Sequence, residues 1–168
     1  MKRTITLIRH AKSAWNQPTL SDFDRPLNKR GKSDAPLMGN VLKKRNIEFD
    51  LVLSSPAERA ITTAKAICHA TGYAEEKIEQ NRHLYLASAS EIIEIVHGVD
   101  DRFNRIAVVC HNPGLTVLAN VLSDLRIDNM PTCSIAIFEA DIDSWKSLKP
   151  ASCRTIDFLF PKRFKTKR

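Results

Sequence analysis

The sequence predicts an α/β protein, a three-layer α/β/α sandwich with a mostly parallel sheet. Short β-branched, apolar segments alternate along the chain with longer segments whose apolar residues recur at helical spacing. The chain has 168 residues, of which 43% are apolar, enough for one hydrophobic core. We therefore expect a single domain over residues 1–161, followed by a basic, flexible tail over residues 162–168.

Five segments have the apolar, β-branched composition of buried strands. They cover residues 3–9, 50–54, 105–110, 134–140 and about 154–159. Ligands of such sheets bind beyond the carboxyl ends of the strands, so the residues that follow each strand are the candidates for a functional site.

The first two helices are predicted from apolar spacing and from helix-start signals. The first runs roughly over residues 28–46, and Pro36 within it predicts a kink or a later start. The second is predicted to start at Ser55, because Ser55-Pro56-Ala57-Glu58 has the pattern of a capping box with proline at the first helical position. Gly72 ends it.

The third and fourth helices also follow recognisable starts. Ser88 and Glu91 form a second capping-box pattern ahead of an isoleucine-rich helix. The fourth helix is predicted to open at Asn112-Pro113. Strands that alternate with four such helices favour helices on both faces of one sheet, and this arrangement is compatible with a monomer.

The charge balance is basic, and its placement argues against a nucleic-acid partner. The net charge is +7, but residues 162–168 contain five cations and no anion, which leaves +2 for the rest. The chain has no apolar run of about 18 residues, so we expect no membrane span. The apolar stretch near the N-terminus ends at Arg9-His10, which favours a cytoplasmic protein over a secreted one.

The four cysteines show no C-x-x-C spacing and lie among apolar neighbours. They are interpreted as buried free thiols of a protein in a reducing compartment. We expect neither a bound metal nor another cofactor, since no carboxylates converge at the strand ends as a site for divalent metal ions requires.

Two arginines and two histidines follow three different predicted strands. Arg9 and His10 end the first strand, Arg59 follows the second, and His111 follows the strand over residues 105–110. Transfer of a phosphoryl group needs such residue types, because arginine grips two phosphate oxygens and neutral histidine can act as nucleophile. Arg59 and His111 also lie at predicted helix starts, which favour an anion.

The residues around these positions resemble the histidine phosphatase superfamily, which includes phosphoglycerate mutases and acid phosphatases. Arg9-His10-Ala11 resembles its R-H-G signature. More narrowly, four ordered motifs are similar to those of the SixA-type phosphohistidine phosphatases: Arg9-His10-Ala11-Lys12-Ser13, Asp24-Arg25-Pro26-Leu27, Leu84-Tyr85-Leu86-Ala87-Ser88 and His111-Asn112-Pro113-Gly114. The resemblance covers about residues 4–160 and implies the phosphoglycerate mutase-like fold.

The resemblance also implies roles for individual residues. His10 would be the nucleophile that becomes phosphorylated, and Arg9, Arg59 and His111 would form the phosphate pocket with it. Further residues would bind substrate, and these are Ser13, Asn16 and Asn112.

The chain departs from the family pattern in two ways. Ala11 replaces the glycine of the signature, which is tolerated only if Ala11 avoids a positive φ angle. Relatives that act on alkyl phosphates have a glutamate before the third helix, and no carboxylate occurs there. The general acid therefore remains open between Asp22, Asp24, Glu91 and none of them.

The sequence thus predicts a metal-independent phosphatase that hydrolyses phosphohistidine on a protein through a covalent phospho-His10 intermediate. A P–N bond is labile, so a cation-rich site without an assigned acid suits it. The alternatives are a phosphatase for small phosphomonoesters and a phosphate-binding module without turnover. The expected partner is a histidine-phosphorylated protein or a small phosphorylated substrate.

Overall fold

The computed structural model describes residues 1–165 and places them in one α/β sandwich around a six-stranded sheet. In chain order the strands and helices are β1 Lys2–Arg9, α1 Lys29–Lys44, β2 Leu51–Ser54, α2 Glu58–Thr71, β3 Glu79–Gln80, α3 Ala89–His97, β4 Arg105–Cys110, α4 Gly114–Leu122, β5 Ile135–Asp141 and β6 Cys153–Leu159. The five predicted strands are confirmed to within a residue or two. The two-residue β3 was not predicted, because it is too short to carry a periodic signal.

The sheet order is β3-β2-β4-β1-β5-β6. The first four strands in this order run parallel, whereas β5 pairs antiparallel with β1 and with β6. The expected mostly parallel sheet is confirmed. The parallel strands all deliver their carboxyl ends to one edge, and this edge carries the predicted site.

Helices cover both faces of the sheet, as expected. On one face α3 and α4 pack through Ile92, Val96 and Leu118, and on the other α1 and α2 pack through Met38 and Ile67. Strand residues alternate between the two layers with the two-residue period of a pleated strand. The three-layer arrangement follows from this burial of both sheet faces.

One of the first two helix starts agrees with the sequence prediction and the other differs from it. Helix α1 has its N-cap at Asn28 and runs through Pro36, so the predicted start is confirmed and the alternative of a later start is wrong. Proline has no N–H, so the carbonyl of Lys32, four residues before Pro36, lacks its helical donor. Both residues are exposed, so water can hydrate this carbonyl. Helix α2 begins at Glu58 with no side-chain cap, so the predicted capping box at Ser55 is wrong.

The two other helix starts agree with the sequence. Ser88 and Glu91 form both hydrogen bonds of a capping box on α3. At α4, the Asn112 side-chain oxygen accepts from the backbone N–H of Thr116 at 3.2 Å, although the helix itself begins at Gly114.

The described part of the basic tail contacts the domain. A 3₁₀ turn over Pro161–Phe164 packs Phe164 against the α1–α2 core, and Lys165 forms a 2.8 Å ion pair with the buried carboxylate of Asp34. Residues 162–165 thus lie against α1, where the sequence predicts a flexible tail. Residues 166–168 lie outside the described part of the chain.

Three of the four cysteines, Cys68, Cys110 and Cys133, are buried, Cys153 is half-buried, and all four are free thiols, as predicted. Burial raises the pKa of Cys110 to about 12, which makes this thiol a poor nucleophile although it directly precedes His111. None of the helices in residues 1–165 combines the length and apolar character that crossing a membrane requires.

Candidate active site

The carboxyl ends of β1, β2 and β4 meet around a small cavity of about 240 Å³. Its lining includes all four residues of the predicted phosphate site, Arg9, His10, Arg59 and His111. The register explains their meeting, because Arg9 and Cys110 are paired neighbours on β1 and β4, so that the next residue of each strand is a histidine. The two imidazole rings lie 5.2 Å apart, centroid to centroid.

A contact between Nδ1 of His10 and the backbone fixes the orientation of its imidazole ring and leaves Nε2 free. Its Nδ1 lies 2.8 Å from the carbonyl oxygen of Ala11. A carbonyl can only accept, so Nδ1 carries the proton and Nε2 keeps the lone pair that a nucleophile needs. Burial, with the nearby cations of Arg59 and Arg9, lowers the pKa of His10 to about 4. The ring is therefore neutral at neutral pH.

Arg59 is buried and Arg9 is half-buried, and both cations keep unused hydrogen-bond donors. Arg9 donates from Nη1 to the carbonyl of Met130 at 2.9 Å, and Arg59 donates from Nη1 to the carbonyl of Asp22 at 2.6 Å. Within residues 1–165 the Nε–H of each arginine is buried without a partner. Buried donors of this kind are costly unless a ligand completes them, and phosphate oxygens fit a guanidinium.

His111 is positioned by a serine on the neighbouring strand end. Its Nε2 lies 2.8 Å from Oγ of Ser55, while its Nδ1 is buried without a partner in the described structure. Burial lowers the pKa of His111 to about 3, and the neighbouring His10 and Arg59 side chains act in the same direction. This histidine also stays neutral at neutral pH.

Ser55 thus has a different role from the predicted one. The chain remains extended after β2, and the Ser55 amide donates to the carbonyl of Val109 on β4 at 2.9 Å. The hydroxyl accepts from the Ala57 N–H at 3.2 Å and contacts His111, so it belongs to the site rather than to a helix cap.

The predicted substrate-binding residues are placed differently from one another. Ser13 is buried in the cavity wall, and its hydroxyl accepts from Nη1 of Arg25 at 2.7 Å. Asn112 also lines the cavity, but its amide is engaged by Asn129, Met130 and Thr116. Asn16 is exposed and lines a neighbouring cavity instead of the phosphate pocket.

Of the three candidate acids, Asp22 alone contacts the site. Its carboxylate accepts from Nη2 of Arg59 and Nη2 of Arg25, each at 3.0 Å, and from the hydroxyl of Tyr85. These three hydrogen bonds outweigh partial burial and hold the pKa of Asp22 well below its usual range. A carboxylate so tightly held in its ionised form is a poor proton donor.

The other two candidate acids lie away from the phosphate pocket. Asp24 accepts from the hydroxyl of Ser21 at 2.9 Å, and Arg25 forms its ion pair with Asp22 rather than with its chain neighbour Asp24. Glu91 accepts from the Ser88 amide at 3.0 Å and caps α3.

Sequence reasoning gave no role to Tyr85 or Arg25. The Tyr85 ring stands edge-on to His111, with centroids 5.5 Å apart, and Arg25 links Asp22 to Ser13. Both residues lie in motifs that carried the family resemblance, but neither follows a strand, so the strand-end argument could not find them. Ala11, which replaces the glycine of the family signature, is not among the described residues with a positive φ angle, so the replacement is tolerated as expected.

The comparison with known proteins agrees with this geometry. Residues 5–85 match the model of the histidine phosphatase superfamily, branch 1. An uncharacterised protein of Mycobacterium tuberculosis is 32% identical over 165 residues, which cover 92% of this chain and all of that protein. A 2,3-bisphosphoglycerate-dependent phosphoglycerate mutase of Mesorhizobium japonicum is 34% identical over 86 residues, 50% of this chain and 42% of the mutase.

A solved structure is similar over nearly the whole length. The crystal structure of a protein of Agrobacterium tumefaciens, assigned as a phosphohistidine phosphatase SixA, has a TM-score of 0.80 and 28% identity, covering 95% of this chain and 98% of that one. Fold and site together define an enzyme of the phosphatase and mutase type. The chain belongs to the histidine phosphatase superfamily, and within it the chain is of the SixA type.

Proposed function

We propose that this enzyme hydrolyses phosphohistidine on a partner protein through a phospho-His10 intermediate. The observation that carries the proposal is the state of Asp22, the one candidate acid beside the phosphate pocket. Arg59, Arg25 and Tyr85 hold it ionised, so it is ill-suited to protonate an alkoxide leaving group. Phosphohistidine makes no such demand on the enzyme.

In the first step, Nε2 of His10 attacks the phosphorus atom and the P–N bond of the substrate breaks. When the distal nitrogen of the substrate imidazole carries a proton, that ring departs as a neutral molecule. The leaving group and the nucleophile are then the same chemical group, so the transfer is close to balanced in energy. The carbonyl of Ala11 keeps the Nδ1 proton of His10 in place throughout.

In the second step, water attacks the phosphorus atom of phospho-His10 and the new P–N bond breaks. Inorganic phosphate leaves, and His10 regains its Nε2 lone pair. A phosphoryl group carries its charge on its non-bridging oxygens. Arg9, Arg59 and His111 line the cavity with His10, and each has a buried nitrogen without a partner in residues 1–165. Removal of one such donor from an active site costs roughly 10²- to 10³-fold in rate.

We further propose that the reaction needs no metal ion. The guanidinium groups of Arg9 and Arg59 supply the positive charge that metals supply in other phosphatases. Within residues 1–165 no group of three or more histidine, cysteine or carboxylate side chains has the arrangement of a metal site.

A phosphatase for small phosphomonoesters is the second candidate. It is supported by the match to a phosphoglycerate mutase, whose name describes action on a small phosphoester. It would require a proton donor, and Asp22 would have to gain a proton after the substrate displaces its arginines.

Comparison of kcat/KM for a histidine-phosphorylated carrier protein with kcat/KM for a panel of phosphomonoesters tests the proposal. We expect kcat/KM to be at least about 100-fold higher for the phosphoprotein. EDTA should not change this activity, and the His10→Ala variant should have none. Trapping of acid-labile, base-stable phosphate on the wild-type chain identifies the intermediate. Preference for an alkyl phosphate, or full activity of the His10→Ala variant, would overturn it.

A further inference from the structure

A second and larger cavity, of about 630 Å³, opens beside the phosphate pocket and shares Lys12, Ser13 and Trp15 with it. It is also lined by Lys29 and Lys32 from the first turn of α1, and none of its lining residues is acidic. These three lysines make no ion pair within residues 1–165. The phosphoryl chemistry of His10 does not use this cavity.

The position of Lys12 against α1 is fixed by the backbone. Ser13 and Leu27 form an antiparallel bridge, and the Asn28 amide donates to the carbonyl of Lys12 at 3.0 Å. Gly31 permits this close approach, since a Cβ there would lie 2.2 Å from the Lys12 carbonyl oxygen. The backbone of Lys12 is therefore held against the first turn of α1, which carries Lys29 and Lys32.

Two large apolar side chains stand at the mouth of the phosphate pocket. Trp15 is 73% exposed and Leu86 is 55% exposed, and both line that pocket. The guanidinium of Arg25 stacks over the Trp15 ring at 3.5 Å from its centroid. Leu86 has a φ of 52°, an uncommon conformation for a residue with a branched side chain. Exposed apolar groups beside a catalytic cleft indicate an interaction surface.

We propose that Lys12, Trp15, Lys29, Lys32 and Leu86 form a docking face for an acidic segment of the partner protein that carries the phosphohistidine. Charge complementarity selects this occupant, because the lysines face carboxylates while Trp15 and Leu86 contact apolar side chains of the same segment. The proposal rests on the proposed function and extends it to the substrate class. A small phosphoester would fill only the phosphate pocket and leave the face empty.

Two phosphohistidine peptides of equal length test the docking face. One carries glutamates on both sides of the phosphohistidine, the other carries lysines, and neither contains tryptophan. In the variant Lys29→Glu/Lys32→Glu we expect kcat/KM for the acidic peptide to fall roughly 10-fold or more, with a weaker dependence on salt than in the wild type. Hydrolysis of phosphoramidate, which has a P–N bond but no flanking residues, should be unchanged.

The variant Lys146→Glu/Lys149→Glu is the matched control. It makes the same change in charge on exposed residues that follow β5, at the opposite edge of the sheet, and it should behave as the wild type. Equal rates on both peptides, or equal effects of the two charge reversals, would overturn the docking face and leave the proposed function intact. Hydrolysis of phosphoesters but of neither peptide would overturn the proposed function and the docking face with it.

Fluorescence gives an independent readout, because the two tryptophans differ in exposure. Trp15 is 73% exposed and Trp145 is fully buried, so acrylamide quenching reports on Trp15. The dephosphorylated acidic peptide should protect Trp15 in the wild type and in the control variant, but not in Lys29→Glu/Lys32→Glu. Lack of protection in the wild type, or equal protection by a single-stranded DNA oligonucleotide, would overturn selection of an acidic protein segment.

Discussion

Oγ of Ser55 lies 2.8 Å from Nε2 of His111 and ties the end of β2 to the end of β4. The Ser55 hydroxyl also accepts from the Ala57 amide, and when it donates its own proton to Nε2, the proton of His111 is placed on Nδ1. Nδ1 is the buried nitrogen without a partner. His111 would then present an N–H donor to a phosphoryl oxygen without carrying a charge of its own.

Replacement of Ser55 by alanine should therefore lower kcat by roughly 10-fold while KM and the melting temperature change little, because His111 loses the group that orients it. Steady-state kinetics with a histidine-phosphorylated protein measure the effect. Ser54→Ala is the matched control, since Ser54 is equally buried but donates only to the carbonyl of Ser55. Equal losses in both variants would contradict a positioning role for Ser55.

Acid should destabilise the protein through its two site histidines. Burial lowers the pKa of His10 from 6.5 to about 4 and that of His111 from 6.5 to about 3. The unfolded chain takes up these protons as pH falls below 6.5, whereas the folded chain does not. The stability associated with the neutral rings is thus complete above pH 6.5 and is lost as pH falls towards the folded-state values.

Denaturant unfolding at pH 7, 6, 5 and 4.5 measures this loss. We expect the slope of stability against pH to be shallower in His10→Asn/His111→Asn than in the wild type, because asparagine does not titrate. Both proteins contain the same carboxylates, so their contribution to the pH dependence of stability cancels in this comparison. Parallel slopes would show that the histidines titrate in the folded protein as they do in the unfolded chain.

Replacement of Asp22 by asparagine should strengthen phosphate binding and leave phosphohistidine hydrolysis within about 3-fold of wild type. The change removes the charge that engages Arg59 and Arg25, so the inhibition constant of inorganic phosphate should fall by roughly 3- to 10-fold. Asp24→Asn is the control, because Asp24 contacts Ser21 instead of the arginines. Abolished hydrolysis of phosphohistidine would instead make Asp22 the general acid.

Gly114→Ala should displace the segment that carries Tyr85 and Leu86. A Cβ at residue 114 would lie 2.0 Å from the carbonyl oxygen of Ala87, and backbone on both sides limits any adjustment. We expect a loss of about 1–3 kcal/mol in the free energy of unfolding, together with reduced activity. Gly98→Ala, whose Cβ would meet nothing nearer than 3.4 Å, should be neutral or slightly stabilising. Chemical denaturation and kinetics of both variants measure the contrast.

Much of the site could be predicted because the sequence pattern shows where the strands end. Arg9 and His10 directly follow β1 and His111 directly follows β4, and parallel pairing of those strands necessarily brings them together. The capping box at Ser88 was also correct, since local hydrogen bonds form it. The same local pattern at Ser55 was wrong, because Ser55 finds His111, a partner 56 residues away that no local pattern encodes.

The sequence by itself determined the pattern of polar and apolar residues, and hence a layered α/β fold and the family to which the chain belongs; it also named four candidate residues that the fold brings together. Only the tertiary structure decided which carboxylate stands beside the phosphate pocket and in which state. The sequence does not distinguish the three candidate acids Asp22, Asp24 and Glu91 from one another. In the structure, only Asp22 accepts hydrogen bonds from Arg59, Arg25 and Tyr85. The pKa of a carboxyl group depends on charges and donors within a few ångströms, and such neighbours come from segments far apart in the chain.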